Sequence, residues 1–493
     1  MCESCERGID RRGFLLAGGA ASGMPLLARA VEEQRGADEP VLAPRRKQPV
    51  RISVVFLYPP EEVVYAGGNE DSWRVHKWFT WPGNQFRPKE QHARFAGKLA
   101  EMGRRLGVEL EFHREPLWQQ AKIEQYIAAT KAAKFDAVLV VNFWNTFAKR
   151  SYQIATTAAP AAIVYQPVGS NHQLPLKELR EASGLFFIHS IENWAELERG
   201  LRAVRARKMM AQSRLLRIAG RVKKMSQSTE PNLGTDIVAI PAAEYISLFD
   251  SIQPDDAIRQ LARQVKQQAA KVIEVSDRYF IDAIRAHCTV GRLMRRYGAD
   301  AITIECLVLK ERKPCISFAI NNGELIPCGC ENHLEGTLTQ MVGRWLWDRA
   351  GFMHNPEFDT SENRYFGAHC TCAWKLHGPA GPSERFIVRP FFHQLPKTPA
   401  LDVQWPRGEP VILAKYHAGR KSISCWSGRV LESPPCPPAG GCATRVLVEI
   451  ERVDDVCTIY PGPHPILFCG TRGDARALKA FARLCHLEVI GNV

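Results

Sequence analysis

Apolar positions recur along this chain in two periods, and the switch between them marks out its elements. Arg51–Leu57 is a β-branched apolar run ended by Pro59-Pro60, so it reads as a strand stopped by residues that cannot extend a ladder. From Pro88 onward Phe95, Leu99, Met102 and Leu106 fall at helical spacing, and Gly107 closes that helix. Val108, Leu110 and Phe112 alternate with glutamates as a strand, and Ile123, Tyr126 and Ile127 mark a second helix. Ala137–Phe143 is apolar throughout, as a parallel strand covered on both faces must be. Ala161–Tyr165 is the next strand. This alternation predicts βαβ units around a parallel sheet, in a first α/β domain over residues 50–185.

A second series follows. Leu185–His189 reads as its first strand, and Trp194, Leu197, Leu201 and Val204 as a helix capped by Ser190 or Asn193. Strands at Arg214–Ala219 and Asp236–Ile240, helices near 254–275 and 278–297, and a strand at Ala301–Leu309 come next. Cys315–Ile320 reads as a strand-like run, followed by an amphipathic helix carrying Leu338, Met341, Val342, Trp345 and Leu346. We place this second α/β domain at 186–358. Past about residue 360 helical periodicity fades and short strands take over, as at Arg385–Val388, Val411–Lys415, Ser422–Trp426 and Val446–Glu451, with a loop at Pro434–Gly441. The chain closes on strand, helix and strand at Ile466–Cys469, Asp474–Leu484 and Leu487–Ile490. The expected architecture is two consecutive doubly wound α/β domains with parallel sheets, then a mostly β C-terminal domain, 359–493, with a terminal helix.

Composition adds bounds. At 493 residues the chain exceeds one core, and about two to four domains are expected. A hydrophobic fraction of 45% and a charged fraction of 24% are those of a globular protein. Beyond the N-terminus no run approaches the roughly 18 apolar residues of a membrane span. The net charge of +13 is dispersed, and its densest clusters, Arg202–Lys208 and Arg214–Lys224, alternate with apolar residues as solvated faces do. No nucleic-acid-binding signature accompanies them. Asp10-Arg11-Arg12-Gly13-Phe14-Leu15-Leu16, the apolar run to Leu27 and Ala28-Arg29-Ala30 have the order of a twin-arginine export signal with its cleavage site. Residues 1–30 are therefore set aside from the fold, 31–49 read as a flexible lead-in, and a periplasmic or other extracytoplasmic destination is expected. Of 15 cysteines, Cys2 and Cys5 precede the signal. Thirteen remain, an odd number that argues against a pure disulfide framework, although pairing among Cys425, Cys436, Cys442 and Cys457 stays open.

Candidate chemistry concentrates in Pro327-Cys328-Gly329-Cys330-Glu331-Asn332-His333-Leu334-Glu335-Gly336. This segment lies between an apolar run and a helix, where ligands bind in open α/β sheets. A second cluster holds Glu357, Asp359, His369, Cys370 and Cys372, and a third is His464 in Gly462-Pro463-His464-Pro465. Glu331, Asp359 and His464 would make a hard site for Mn²⁺ or Mg²⁺. Cys328, Cys330 and His333, with Cys370 and Cys372, would make a softer one for Zn²⁺, although C-x-C is not the usual spacing. Plain structural roles compete with both: Glu331 as a helix N-terminal charge, His333 as a first-turn residue, the cysteines as core fillers.

The segment Cys330–Thr339 resembles the part of L-fucose isomerase-like proteins that reads acid, small residue, Asp and then a Gly/Ala-rich helix. Gly367-Ala368-His369-Cys370, Glu409–Ala414 and Gly441-Cys442-Ala443-Thr444-Arg445 resemble later segments of the same family in order, and Gly470 and Asp474 lie near its Gly-Asp position. The resemblance spans residues 50–493 as a chain of short matches. It implies a metal-dependent aldose–ketose isomerase acting on a small sugar, with Glu331 and Asp359 as paired ligands and acid/base groups and His464 completing a Mn²⁺ or Mg²⁺ site. It also implies a homo-oligomer. Two departures stand out: His333 replaces the family's Asp, and His464 lies between two prolines. They keep open an exported, non-catalytic carbohydrate-binding protein, or a related sugar epimerase or lyase. Trp73, Trp78, Trp81 and Trp144 are candidates to stack on a sugar or to fill a core.

Overall fold

The computed structural model describes residues 40–60, 62–63, 88–167, 175–391, 398–437 and 441–492. The leader 1–30, with Cys2 and Cys5, and the tryptophans Trp73, Trp78 and Trp81 lie outside the described residues. Five strands, β1 (Val50–Leu57), β2 (Val108–Phe112), β3 (Ala137–Asn142), β4 (Ala162–Pro167) and β5 (Leu185–Ser190), form a parallel sheet in the order β2-β1-β3-β4-β5. The order reverses once, at β1, which is the doubly wound pattern. The helices of this region are α1 (Pro88–Leu106), α2 (Gln120–Ala132), α3 (Ala148–Thr157), α4 (Lys177–Glu181) and α5 (Trp194–Ala211). β3 and β4 are buried along their whole length, so the uninterrupted apolar run at 137–143 has the cause inferred for it. Leu185–Ser190 does not open the second series. It pairs with β4, and Leu185 and Ile188 enter the first core. Asn193 caps α5, its side chain accepting the Glu196 N–H at 3.1 Å. Trp144 is buried in the same core and presents no stacking face.

The second sheet contains β6 (Arg214–Ala219), β7 (Ser226–Thr229) and β8 (Asp236–Pro241), while β9 (Lys271–Val272) pairs elsewhere. With β10 (Ala301–Ile304) and β11 (Cys328–Gly329) the order is β11-β10-β6-β8-β7, parallel except for the exposed edge strand β7. Its helices are α6 (Ala242–Ser251), α7 (Asp256–Gln268), α8 (Asp277–Arg296), α9 (Cys315–Gly323) and α10 (Leu334–Trp347). Cys315–Ile320, expected as a strand, is the start of α9. All nine residues of that helix are buried, so no polar face betrays its period. The charged segment after residue 40 is tied down rather than loose. Val41 and Leu42 donate to Arg296 O, Arg45 meets Asp236 at 3.0 Å, and Lys47 meets Asp300 at 2.9 Å.

The C-terminal part is antiparallel and begins at Phe352, ahead of the change expected near 360. Its strands are β12 (Phe352–Met353), β13 (Asn355–Asp359), β14 (Arg364–His369), β15 (Phe386–Pro390), β16 (Pro399–Val403), β17 (Pro410–His417), β18 (Ser422–Glu432), β19 (Thr444–Ile450), β20 (Ile466–Cys469) and β21 (Glu488–Gly491). The main sheet runs β12-β20-β17-β18-β19-β14-β13, with β21 parallel beside β18, while β15 and β16 form a ribbon with β9. Helix α11 (Arg472–Leu484) carries a capping box, in which Thr471 and Asp474 satisfy each other's backbone N–H groups. Asp474, which resemblance places near a family position, is thereby used in a helix cap. Among the described residues all cysteines are free thiols, Cys425, Cys436, Cys442 and Cys457 included. No described helix is long and apolar enough to cross a membrane.

Helix α10 joins these parts. Leu338, Met341, Val342, Trp345 and Leu346 share one core with the first sheet, with Ile412 and Ala414 of β17, and with Ile466 and Phe468 of β20. Helix α5 packs on both α10 and α11. The approach of α10 to β20 is close: a Cβ on Gly343 would lie 2.2 Å from Phe468 Cε1. Ala normally stabilises a helix interior over Gly by about 1 kcal/mol. Here Gly343→Ala should instead destabilise the protein by about 1–3 kcal/mol through overpacking. Urea unfolding of the two proteins measures it, and a variant as stable as the parent would refute the close packing.

Candidate metal centre

Glu331 lies between the short edge strand β11 and the first turn of α10, at the C-terminal end of the second sheet. Its loop is held by Asn332, whose N–H donates to Ile304 O at 3.0 Å and whose Oδ1 accepts from Arg217 Nε at 2.7 Å. Glu331 and Asn332 both adopt left-handed backbone, at φ 55° and 58°. Neither is glycine, so this turn is strained by about 1–2 kcal/mol per residue. His464 enters from the loop before β20, also left-handed at φ 55°. His369 ends β14, on the same strand face as Tyr365 and Gly367.

These three side chains converge from different parts of the fold. Glu331 Oε2 lies 3.1 Å from His464 Nε2, and Oε1 lies 3.6 Å from His369 Nε2. One ligand atom from each residue falls within 4.8 Å of the other two. Both histidines are buried, and the Glu331 side chain is 32% exposed, so the group opens toward solvent through the carboxylate. The facing ring nitrogens make no hydrogen bond, and His464 Nδ1 has no partner either. Buried nitrogens left without partners around a carboxylate are what a cation would satisfy. The three residues could therefore hold a metal ion. His369 adds one condition. Its Nδ1 accepts the Cys370 N–H at 2.8 Å, which in the neutral ring puts the proton on Nε2. A cation at Nε2 moves that proton to Nδ1 and costs the Cys370 hydrogen bond.

The flanking imidazoles, His369 first and then His464, hold the Glu331 carboxyl well below the usual carboxylate range. Burial lowers His369. His333 is the N-cap of α10: its Nδ1 accepts the Gly336 N–H at 3.0 Å. An Asp could serve that cap equally, so the departure at this position keeps the helix start intact. Burial, with help from Lys415, pushes His333 down to about 3. Its Nε2 faces Lys415 Nζ at 3.3 Å, and the same ammonium donates to Pro463 O in the His464 loop. His354 lies deeper, accepting from the Tyr365 hydroxyl at 2.5 Å, and burial lowers it to about 3.

Asp359 does not join this group. In the β13–β14 hairpin it pairs with Arg364, five residues along the strand from His369, or about 17 Å at strand rise. Its Oδ1 accepts the N–H groups of Ser361 and Glu362 at 3.1 and 3.2 Å, so the turn uses the carboxylate. The softer cysteine site is not assembled either. Cys328 is buried against Asn321 and Asn322, Cys330 Sγ lies 3.2 Å from Cys306 Sγ, and His333 is committed to its cap. Sequence reasoning noted His369 but did not choose it. The usable signal is that it shares a period-two face with Tyr365 and Gly367 at the end of a buried strand. Replacing Asp359 by His369 turns an oxygen-rich set into two nitrogens and one carboxylate. No protein-family model matches the chain, and no curated protein matches it.

Lys415 offers a test of this environment. Its side chain is 1% exposed, and burial lowers its pKa to about 8, opposed in part by Glu335. The folded state therefore binds fewer protons than the unfolded state between pH 8 and the ordinary lysine value. Stability from this group should rise through that interval, by about 3 kcal/mol in all. The difference between the parent and Lys415→Met, read from denaturation midpoints at neutral and alkaline pH, isolates it. A difference that does not change with pH would place the ammonium in solvent.

Proposed function

We propose that this chain is a metal-dependent aldose–ketose isomerase, similar to the L-fucose isomerase-like proteins, working through an ene-diol. The observation that carries the reading is the convergence of Glu331, His369 and His464, with buried ring nitrogens that make no hydrogen bond, at the mouth of an α/β sheet. Two imidazoles and a carboxylate favour Mn²⁺ over Mg²⁺, which prefers an all-oxygen shell. A bound divalent ion would polarise the sugar carbonyl and stabilise the negative charge that develops when the adjacent carbon loses its proton.

The chain's own residues supply the rest. Glu331 is ionised at neutral pH and reaches solvent, so it can take a proton from C2 and return it to C1 on one face of the ene-diol, while the hydroxyl proton passes from O2 to O1 through solvent. With Asp359 in a turn, one carboxylate moves the proton where two were expected. His369 and His464 flank that carboxylate at 3.6 and 3.1 Å and favour its ionised form. His333 and Lys415 fix the first turn of α10 and the His464 loop behind it. Export by the twin-arginine route and assembly as a homo-oligomer belong to the same reading. The hydrogen bond from Cys370 to His369 favours a second one, an exported carbohydrate-binding protein that holds no metal.

Metal analysis of the purified chain separates them. The isomerase reading expects stoichiometric Mn²⁺, lost in Glu331→Gln together with at least about 100-fold of aldose–ketose turnover. Metal and turnover both retained in Glu331→Gln, or a parent protein that takes up no divalent ion, would overturn it.

A further inference from the structure

A second group of donors lies away from Glu331, at the other end of β20. Cys469 is the last residue of that strand and is 1% exposed. Glu409 immediately precedes β17, and its backbone is fixed on both sides: its N–H donates to Pro406 O at 3.2 Å, and its carbonyl accepts from Val430 at 2.9 Å. His377 comes from the segment that follows β14, and its Nε2 lies 3.3 Å from Glu409 Oε1. One ligand atom from each of the three falls within 4.8 Å of the other two. Three stretches of chain distant in sequence thus bring a thiol, an imidazole and a carboxylate to one point.

We propose that Cys469, His377 and Glu409 form a second cation site, built for Zn²⁺. A thiol donor excludes Mg²⁺ and disfavours Mn²⁺, whereas one sulfur, one nitrogen and one oxygen are the mixed set that zinc accepts in four-coordinate sites. Glu384 is a candidate for the fourth position. Its carboxyl, half-shielded, feels both His377 and Glu409. Burial keeps the free Cys469 thiol protonated, so binding releases that proton to solvent as the thiolate–zinc bond forms. Arg349 is the cation that acts on Cys469, and the two or three anionic donors outweigh it. The structural effect is to fasten the segment after His369 to the β17–β20 edge of the sheet. Each site takes one ligand from each of two short segments: His369 and His377 from the first, His464 and Cys469 from the second. The donor sets differ, so the two sites select different ions.

Cobalt is the probe that tells the sites apart, because only the second contains sulfur. The full-length chain is stripped with a chelator, loaded with Co²⁺ and scanned in the near ultraviolet for thiolate-to-cobalt charge transfer. The band is expected in the parent, retained in Glu331→Gln, and absent in Cys469→Ser. His377→Ala, at a partly exposed position, guards against a Cys469 variant that fails to fold. It should weaken zinc affinity by more than about 100-fold, beyond what losing a mere supporting contact costs. A parent protein without the band at full cobalt loading overturns the site. So does a band that survives Cys469→Ser, or zinc affinity unchanged in His377→Ala. Because Glu331→Gln is expected to keep the band, failure of the isomerase reading and failure of this one are read separately.

Discussion

The candidate site depends on how closely one helix can lie against one strand. α10 meets β20 and the loop before it through Gly336 and Gly343, seven residues or two turns apart and so on one face of the helix. A Cβ at Gly336 would come within 2.9 Å of His464 O, and one at Gly343 within 2.2 Å of Phe468. The helix is rigid and its first turn carries the Glu331 loop. The contact that seats its body on the sheet therefore sets the gap between Glu331 and His464. His369 is placed independently, by the register of β14 against β19, where it pairs with Thr444. The three donors meet because two sheets and a helix are locked in one packing arrangement, with no short motif linking them.

That arrangement tolerates local costs that a surface loop would not. Three non-glycine residues at the site sit in left-handed backbone, and a lysine ammonium is buried beneath them. Each choice is unfavourable alone. The left-handed pair at Glu331 and Asn332 turns the carboxylate out of the line of β11 and toward the two imidazoles. Lys415 joins the His333 cap to the Pro463 carbonyl, so one buried charge ties the start of α10 to the loop that presents His464. Where a chain breaks several local preferences at one spot, the surrounding packing must fix that spot, and such spots are where function tends to lie.

Much of this is legible in the sequence. The apolar runs of β1, β3 and β4 are buried parallel strands, and the switch to short alternating strands marks the antiparallel part. What misled was ambiguity of period. Cys315–Ile320 is a wholly buried helix, and a short apolar run looks alike in either state. Leu185–Ser190 is a strand as read, but no local pattern says which sheet a strand joins. At the site, Glu331 and His464 stood out because they sit among prolines, glycines and cysteines. Asp359 reads as an oxygen donor for a hard cation and matches the second ligand that the resemblance implies, yet a carboxylate two residues before a Ser in a hairpin also serves the turn, and here it does. Distinguishing the two needs the strand register, which a single sequence does not carry.

The same register explains why two donor groups lie on one strand. β20 is only four residues long, with His464 two residues before it and Cys469 at its end, so one rigid segment separates the two groups. β14 and the segment after it repeat the pattern with His369 and His377. An ion held at either end therefore restrains the backbone that presents a ligand at the other. The hydrogen bond from Cys370 to His369 lies on that connecting segment. It is the contact that metal at Glu331 must displace, and the cost of displacing it depends on how firmly the following residues are held.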